Sequence, residues 1–261
     1  MTVRKTNPTQ QDDGAKKHQK LIKAAKLLSQ AVDAMQFKLP VTHVYNPLNY
    51  AWDAHHQYLL RCNVEATRVL FLGMNPGPWG MAQTGVPFGQ VAAVRDWIGI
   101  SADVSRPDNE HPKRPVEGFA CKRSEVSGER LWGLFQRRFG TPDAFFSEHF
   151  VTNYCPLVFM EDPARNRTPD KLAPDEMQLL QEACDRHLSS VIELLKPVFL
   201  VGVGAYAEKC FQRVVSQLKP ELQGSVKICR ILHPSPASPA ANRNWEQLAT
   251  EQLYLGGVWS Q

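Results

Sequence analysis

Four short strand-like runs, two of them apolar throughout or nearly so and each closed by a polar or Gly/Pro-rich turn, constrain this chain more than any other feature. They are 68–72 (RVLFL), 149–153 (HFVTN), 198–203 (VFLVGV) and 226–232 (VKICRIL). Runs this short, stopped so quickly, fit strands better than helices. Met177, Leu180, Cys184, Leu188, Val191 and Leu195 recur at helical spacing between the second and third runs, with Pro174 near the start of that helix. Residues 205–218 and 242–255 read as two further helices. Strands alternating with helices in this way build an α/β protein, its sheet mainly parallel, with about four strands and helices against it.

The first third is less regular. Leu21, Ala25, Leu28, Val32 and Met35 mark an amphipathic helix over 15–36 with lysines outside. Residues 50–61 and 90–98 read as short helices and 99–123 as a long loop. Ser127 is placed to cap a helix carrying Leu131, Leu134 and Phe135. No repeat or linker divides the chain. The expected organisation is a basic, flexible arm over 1–20 and a single domain over 21–261.

Composition excludes several classes. At 261 residues, 43% hydrophobic and 21% charged, the chain can bury a sizeable core and does not have the make-up of a disordered protein. Its apolar runs fall short of the ~18–20 residues that span a bilayer, and the polar residues 1–20 offer no signal-peptide core. No membrane partner is expected. The closest two of the six cysteines, Cys210 and Cys229, are 19 residues apart and no C-x-x-C occurs, which disfavours a zinc ribbon or a clustered iron–sulfur site. Isolated thiols suit a buried role in a reducing compartment.

Net charge is +4, yet the first 30 residues hold seven Lys or Arg against two Asp, a local +5, so the body is near −1. A second basic stretch (His111, Lys113, Arg114, Lys122, Arg123, Arg130, Arg137, Arg138) is interleaved with Glu117, Glu125 and Glu129. Charge alone does not make this a nucleic-acid-binding protein.

Ligands of open parallel sheets bind beyond the carboxyl ends of the strands. There the first run enters 73–80 (GMNPGPWG), the second 153–156 (NYCP) and the last 233–239 (HPSPASP). Each presents one polar side chain: Asn75, Asn153 or His233. Proline and glycine make the loops around Asn75 and His233 stiff and open to close approach. A lone Asn after a strand is ordinarily a turn or cap residue, and a lone His is often a packed one. Together, two amides and an imidazole can hydrogen-bond a flat heterocycle, place a water and stabilise an anionic leaving group. They lack a strong nucleophile and a carboxylate cluster, which disfavours metal chemistry and phosphoryl transfer.

These segments resemble the single-strand-selective monofunctional uracil-DNA glycosylases. Residues 73–89 (GMNPGPWGMAQTGVPFG) are similar to the first motif of that family and 233–245 (HPSPASPAANRNW) to the second; 111–115 (HPKRP), 124–128 (SEVSG) and 150–157 (FVTNYCPL) also fit. The resemblance covers roughly residues 40 to 256. It implies a three-layer α/β/α fold around the four-stranded sheet. It also implies removal of uracil and 5-oxidised uracils from single- and double-stranded DNA as a monomer, with no cofactor or metal, leaving an abasic site. Such an enzyme works in the nucleus of a eukaryote or the cytoplasm of a bacterium.

By position, the resemblance implies that Asn75 places the attacking water and His233 stabilises the departing base. Asn153 would read the base edge, Phe88 stack on the ring, and Met74 and Gly77 line the pocket. Arg165, Asn166, Arg167 and Thr168 match a DNA-contacting segment, Ser235, Pro236 and Ala237 form the loop that wedges into the duplex, and Arg243 would reach phosphate. The chain departs from the pattern at Ala237, where a bulky basic residue is common, and at Trp79, where phenylalanine is common.

Three other readings compete. The segment 202–207 (GVGAYA) fits the dinucleotide fingerprint G-x-G-x-x-A, but no acidic residue ends the following strand. A base-binding module without turnover would keep the same pocket. A hydrolase using Cys155 and His233 would need a thiol that instead precedes a proline.

Overall fold

The computed structural model describes residues 8–260. The chain runs through α1 (Pro8–Asp33), β1 (Val41–Tyr45), α2 (Pro47–Tyr50), α3 (Trp52–Leu60), β2 (Val69–Gly73), α4 (Met81–Thr84), α5 (Val126–Phe139) and α6 (Pro142–Phe146). It continues through β3 (His149–Asn153), β4 (Val158–Glu161), β5 (Asn166–Arg167), α7 (Pro174–Leu195), β6 (Phe199–Val203), α8 (Ala205–Val215), α9 (Pro220–Ser225), β7 (Lys227–Ile231) and α10 (Pro239–Leu255).

The four short runs are the four strands of one parallel sheet, ordered β3-β2-β6-β7. β2 lies inside it, every residue buried, as a run with no polar position requires. Helices flank the sheet. α5 and α6 bring Trp132, Phe135 and Phe145 to Phe71 and His149, while α3 stacks Tyr58 on Phe150 with ring centroids 5.0 Å apart. α8 packs on β6 and β7, α7 on α8, and α1 on α7. Burying each such large side chain contributes about 1.5–3 kcal/mol. The α/β class and the four-stranded parallel sheet are as expected.

Other expectations are corrected. A second, antiparallel sheet, β1-β4-β5, had no sequence signal, since its strands are short and one has only two residues. α1 begins at Pro8 rather than near 15; its first residues, PTQQDDG, carry no apolar stripe and little helix propensity, so nothing in the sequence marked them. Residues 1–7, part of the expected basic arm, lie outside the described residues. The helix expected over 50–61 is split at Ala51, and 93–98 forms a π-helical turn. Glu125, not Ser127, is the cap residue of α5 and makes no side-chain cap bond. α10 starts at Pro239, capped by the Ser238 side chain, with non-helical backbone at Asn244.

Candidate active site

Strand register places the three suspected loops together. Gly73 pairs with Asn153, Leu72 with Gly202, and Val203 with Ile231. Beyond the sheet, Tyr154 N–H donates to the Gly73 carbonyl (2.9 Å) and Cys155 N–H to the Met74 carbonyl (2.9 Å). Residues 73–75 and 153–155 therefore run side by side.

The Asn75 amide Nδ2 donates to the Leu157 carbonyl at 3.1 Å. That bond fixes the rotamer, and among the described residues nothing donates to Oδ1. Asn153 is buried. Its Nδ2 meets only the Met81 sulfur, a weak acceptor, at 3.3 Å, and its Oδ1 has no partner among the described residues. A buried amide oxygen without a donor is costly, on the order of 1–3 kcal/mol, so a ligand that supplies N–H is favoured there. Gly73 makes the space: a Cβ there would fall 2.5 Å from Phe88 Cε2 and closer still to Asn153 Oδ1.

Phe88 closes the group with an unusual backbone, φ +55°, which a bulky residue adopts only when its surroundings enforce it. Trp132 Nε1 donates to the Pro87 carbonyl at 3.1 Å, and Gln90 N–H donates to the Phe88 carbonyl at 2.8 Å. Gly128 of α5 lies so close that a Cβ there would strike the same carbonyl oxygen. The Phe88 ring is 6.3 Å from the His233 ring, tilted by 45°.

His233 Nδ1 accepts from the Ser235 N–H at 3.1 Å. In the neutral ring the proton therefore sits on Nε2, away from that bond. Burial lowers the pKa of His233, which keeps it neutral. Gly204, at φ +95°, admits the ring: a Cβ there would lie 3.2 Å from His233 Cβ. Gly202 brings β6 onto α8, since a Cβ would lie 2.5 Å from Glu208 N. Close packing thus accounts for the dinucleotide-like GVGAYA. The loop after His233 is tied down by Arg130, whose guanidinium donates to the Pro234 carbonyl and to Asn242 Oδ1, each at 3.0 Å. Asn242 Nδ2 donates in turn to the Pro236 carbonyl at 2.7 Å. Pro236 and Ala237 form an exposed tip, Ser235 is half-buried below it, and Arg243 is exposed.

Met74 and Gly77 lie on the Asn75 loop. Gly77 meets a residue whose role sequence reasoning missed: a Cβ there would lie 2.5 Å from the Glu125 carboxyl carbon. Glu125 Oε2 accepts from the Trp79 N–H at 3.2 Å. Burial pushes the Glu125 carboxyl up to about 7, although N–H bonds from Trp79 and Gly80 pull the other way. A glutamate just before a helix gives no hint of this in sequence; two glycines three apart in the facing loop were the available signal.

Asn75, Phe88, Asn153 and His233 come together at one end of the sheet, with Met74 and Gly77 on the same loop. Residues 165–168 do not join them. Asn166 and Arg167 form the edge strand β5, with Thr168 after it, and Arg167 is held by Glu161 (2.8 Å) and by the Lys171 carbonyl. Arg165 lies 4.0 Å from the same carboxylate. Cys155 is buried. No cluster of three or more His, Cys, Asp or Glu suited to a metal occurs among the described residues.

The sheet carries two amides, an imidazole and an aromatic ring at its carboxyl end, groups able to hydrogen-bond and stack on a flat heterocycle. Comparisons with known proteins show the family. The sequence profile of the uracil DNA glycosylase superfamily matches residues 61–253. The rat protein named single-strand selective monofunctional uracil-DNA glycosylase is 48% identical over 231 residues, covering 88% of this chain and 82% of its own. The bovine protein of that name is 47% identical, covering 87% and 82%. The crystal structure of Pedobacter heparinus SMUG2 superposes with a TM-score of 0.61 at 16% identity, covering 90% of this chain and 98% of its own, a likeness of fold. The chain belongs to the uracil DNA glycosylase superfamily and, within it, to the single-strand selective monofunctional family.

Proposed function

We propose that this chain is a monofunctional uracil-DNA glycosylase of base-excision repair. It hydrolyses the N-glycosidic bond of uracil, 5-hydroxymethyluracil and 5-formyluracil in single- and double-stranded DNA, and leaves an abasic site with the strand intact. The observation that carries this reading is the buried, unpartnered Oδ1 of Asn153 beside the Phe88 ring. Oδ1 accepts from uracil N3–H while Nδ2 exchanges its weak sulfur contact for O4. Cytosine presents an acceptor at N3 and a donor at C4, and so opposes both atoms.

The target nucleotide leaves the base stack and its ring lies on Phe88. Asn75 Oδ1, its amide held by Leu157, accepts from a water and aims it at the sugar C1′. An amide is a poor base, so this is chiefly orientation. The water oxygen bonds to C1′ as the C1′–N1 bond breaks, and the electron pair leaves with the base. His233 Nε2–H donates to uracil O2, where that charge develops. The attacking water releases its proton to solvent. Met74 and Gly77 line the pocket through their backbone and leave room beside C5. Water is the nucleophile, so the scheme invokes no metal or cofactor, and no lysine imine that would cut the strand. The enzyme acts as a monomer, in the nucleus if its source is eukaryotic and in the cytoplasm if bacterial.

Ser235, Pro236 and Ala237 enter the duplex beside the vacated position, Arg243 contacts phosphate, and Arg165, Asn166, Arg167 and Thr168 flank the strand. Ala237 makes a weak wedge, so Ala237→Arg should raise excision from duplex relative to single-stranded DNA; an unchanged ratio removes the wedge assignment. A labelled oligonucleotide with one uracil tests the whole scheme. Wild type should yield strand breaks only after hot alkali. Asn75→Ala and His233→Ala should each lower the rate by on the order of 10²–10³. Breaks without alkali, or undiminished rates, would overturn it.

A further inference from the structure

The basic stretch 111–138 separates into two groups in the fold. Arg130 is bound to the His233 loop, Arg137 to Glu246 at 2.7 Å, and Arg138 to the Ser260 carbonyl at 2.9 Å. Lys113, Arg114, Lys122 and Arg123 form no ion pair with a carboxylate among the described residues. Two of these converge on Trp79: the guanidinium carbons of Arg114 and Arg123 lie 5.2 Å and 4.4 Å from its ring centroid. Trp79 is four residues from Asn75 on the same loop.

Two like charges at one indole repel, and the backbone that carries Arg114 is braced against this. Tyr45 OH donates to the Arg114 carbonyl (2.8 Å) and accepts from the His111 N–H (2.7 Å). His111 Nδ1 accepts from the Lys113 N–H (3.0 Å), so Nε2 is free to donate to the Asp162 carbonyl, also at 3.0 Å. Gln83 Nε2 donates to the Pro115 carbonyl at 3.0 Å. Arg114 keeps a buried Nε with no partner, and its Nη1 donates only to the adjacent Lys113 carbonyl. Glu110, the acidic neighbour, is occupied by the Val116 N–H at 2.8 Å and by Arg106.

An indole with two uncompensated guanidiniums, one carrying an unused buried donor, matches a chain of phosphates with flat bases between them. We propose that Trp79, Arg114 and Arg123 hold the single strand that flanks the nucleotide in the pocket, the guanidiniums on phosphate and the indole or a guanidinium plane on a neighbouring base. The identity of that nucleotide rests on the glycosylase reading; the strand contact does not. It adds phosphate contacts to the flanking segment 165–168, in which Glu161 already engages Arg167.

The test is binding of a uracil-free, fluorescein-labelled single-stranded oligonucleotide, followed by anisotropy between low and moderate salt. Each phosphate contact on single strands contributes a slope of about 0.7 in log Kd against log salt. Arg123→Ala, at an exposed residue that threatens no core, should lower the slope by about 0.7, and Arg114→Ala/Arg123→Ala by about 1.4, with affinity falling on the order of tenfold near 0.1 M salt. Arg61→Ala removes the same charge from a residue paired with Asp143 at 2.7 Å and should leave the slope unchanged. An unchanged slope in Arg123→Ala, or an equal fall in Arg61→Ala, overturns the proposal. Uracil excision by wild type is scored separately: its failure removes the glycosylase reading, while the slopes still decide the strand contact.

Discussion

At the scale of residues, the site depends on one missing methyl group. Gly73 ends β2 where Asn153 Oδ1 and the Phe88 ring both occupy the place a β-carbon would take. Gly73→Ala should leave the sheet intact, because only the pocket side is filled, yet push the amide and ring out of register. Uracil excision should fall on the order of 10²-fold, given how steeply rate depends on placement, while circular dichroism stays native. A variant of full activity would mean that the amide and ring do not act as a unit. Asn75, Asn153 and His233 were legible in sequence because each follows an apolar run and two sit in Gly/Pro-rich loops. Glu125 was not, since its significance is a contact between loops some fifty residues apart, and no local pattern encodes that.

At the scale of elements, α5 arranges more of the site than its own sequence suggests. Gly128 braces Phe88, Trp132 braces Pro87, Arg130 fixes the His233 loop, and Glu125 props the Asn75 loop from beneath. The Glu125 carboxyl, raised from 4.5 to about 7, binds its proton more tightly folded than unfolded. Its contribution to stability is full below about pH 4.5 and lost as pH rises through 7. Glu125→Gln keeps an oxygen for the Trp79 N–H and removes the titration. Its Tm should therefore hold up better than wild type between pH 5 and 8, by an amount worth up to about 3 kcal/mol; parallel profiles would refute the assignment. β2 and β6 were recoverable from sequence because complete burial leaves an unbroken apolar run, while β3 and the largely exposed β7 were marked by their place in the alternation of strands and helices. β1, β4 and β5 escaped because short antiparallel strands derive their identity from the partner across the ladder.

For the molecule as a whole, the opposite pH trend dominates. His55, His149 and His187 are each lowered to about 4 by burial. A histidine held neutral contributes stability above its unfolded pKa of 6.5, lost as pH falls through 4. Three such groups, each worth up to about 3 kcal/mol, outweigh the single carboxyl and are comparable with the 5–15 kcal/mol that holds a typical domain together. Thermal melts should show a steep drop in Tm from pH 7 to pH 5. A flat profile would show that these rings are protonated in the fold.

The sheet order has a consequence for how the protein comes into being. Asn75 is synthesised before His233, with 157 residues between them. The strand that delivers the imidazole is the last to be made and sits at the sheet's margin. β3, β2 and β6 are all synthesised before the loop that carries His233. A chain that stops short of β7 would lack both His233 and the buried Ile231, Trp245 and Leu253, so one segment completes the core and the site together.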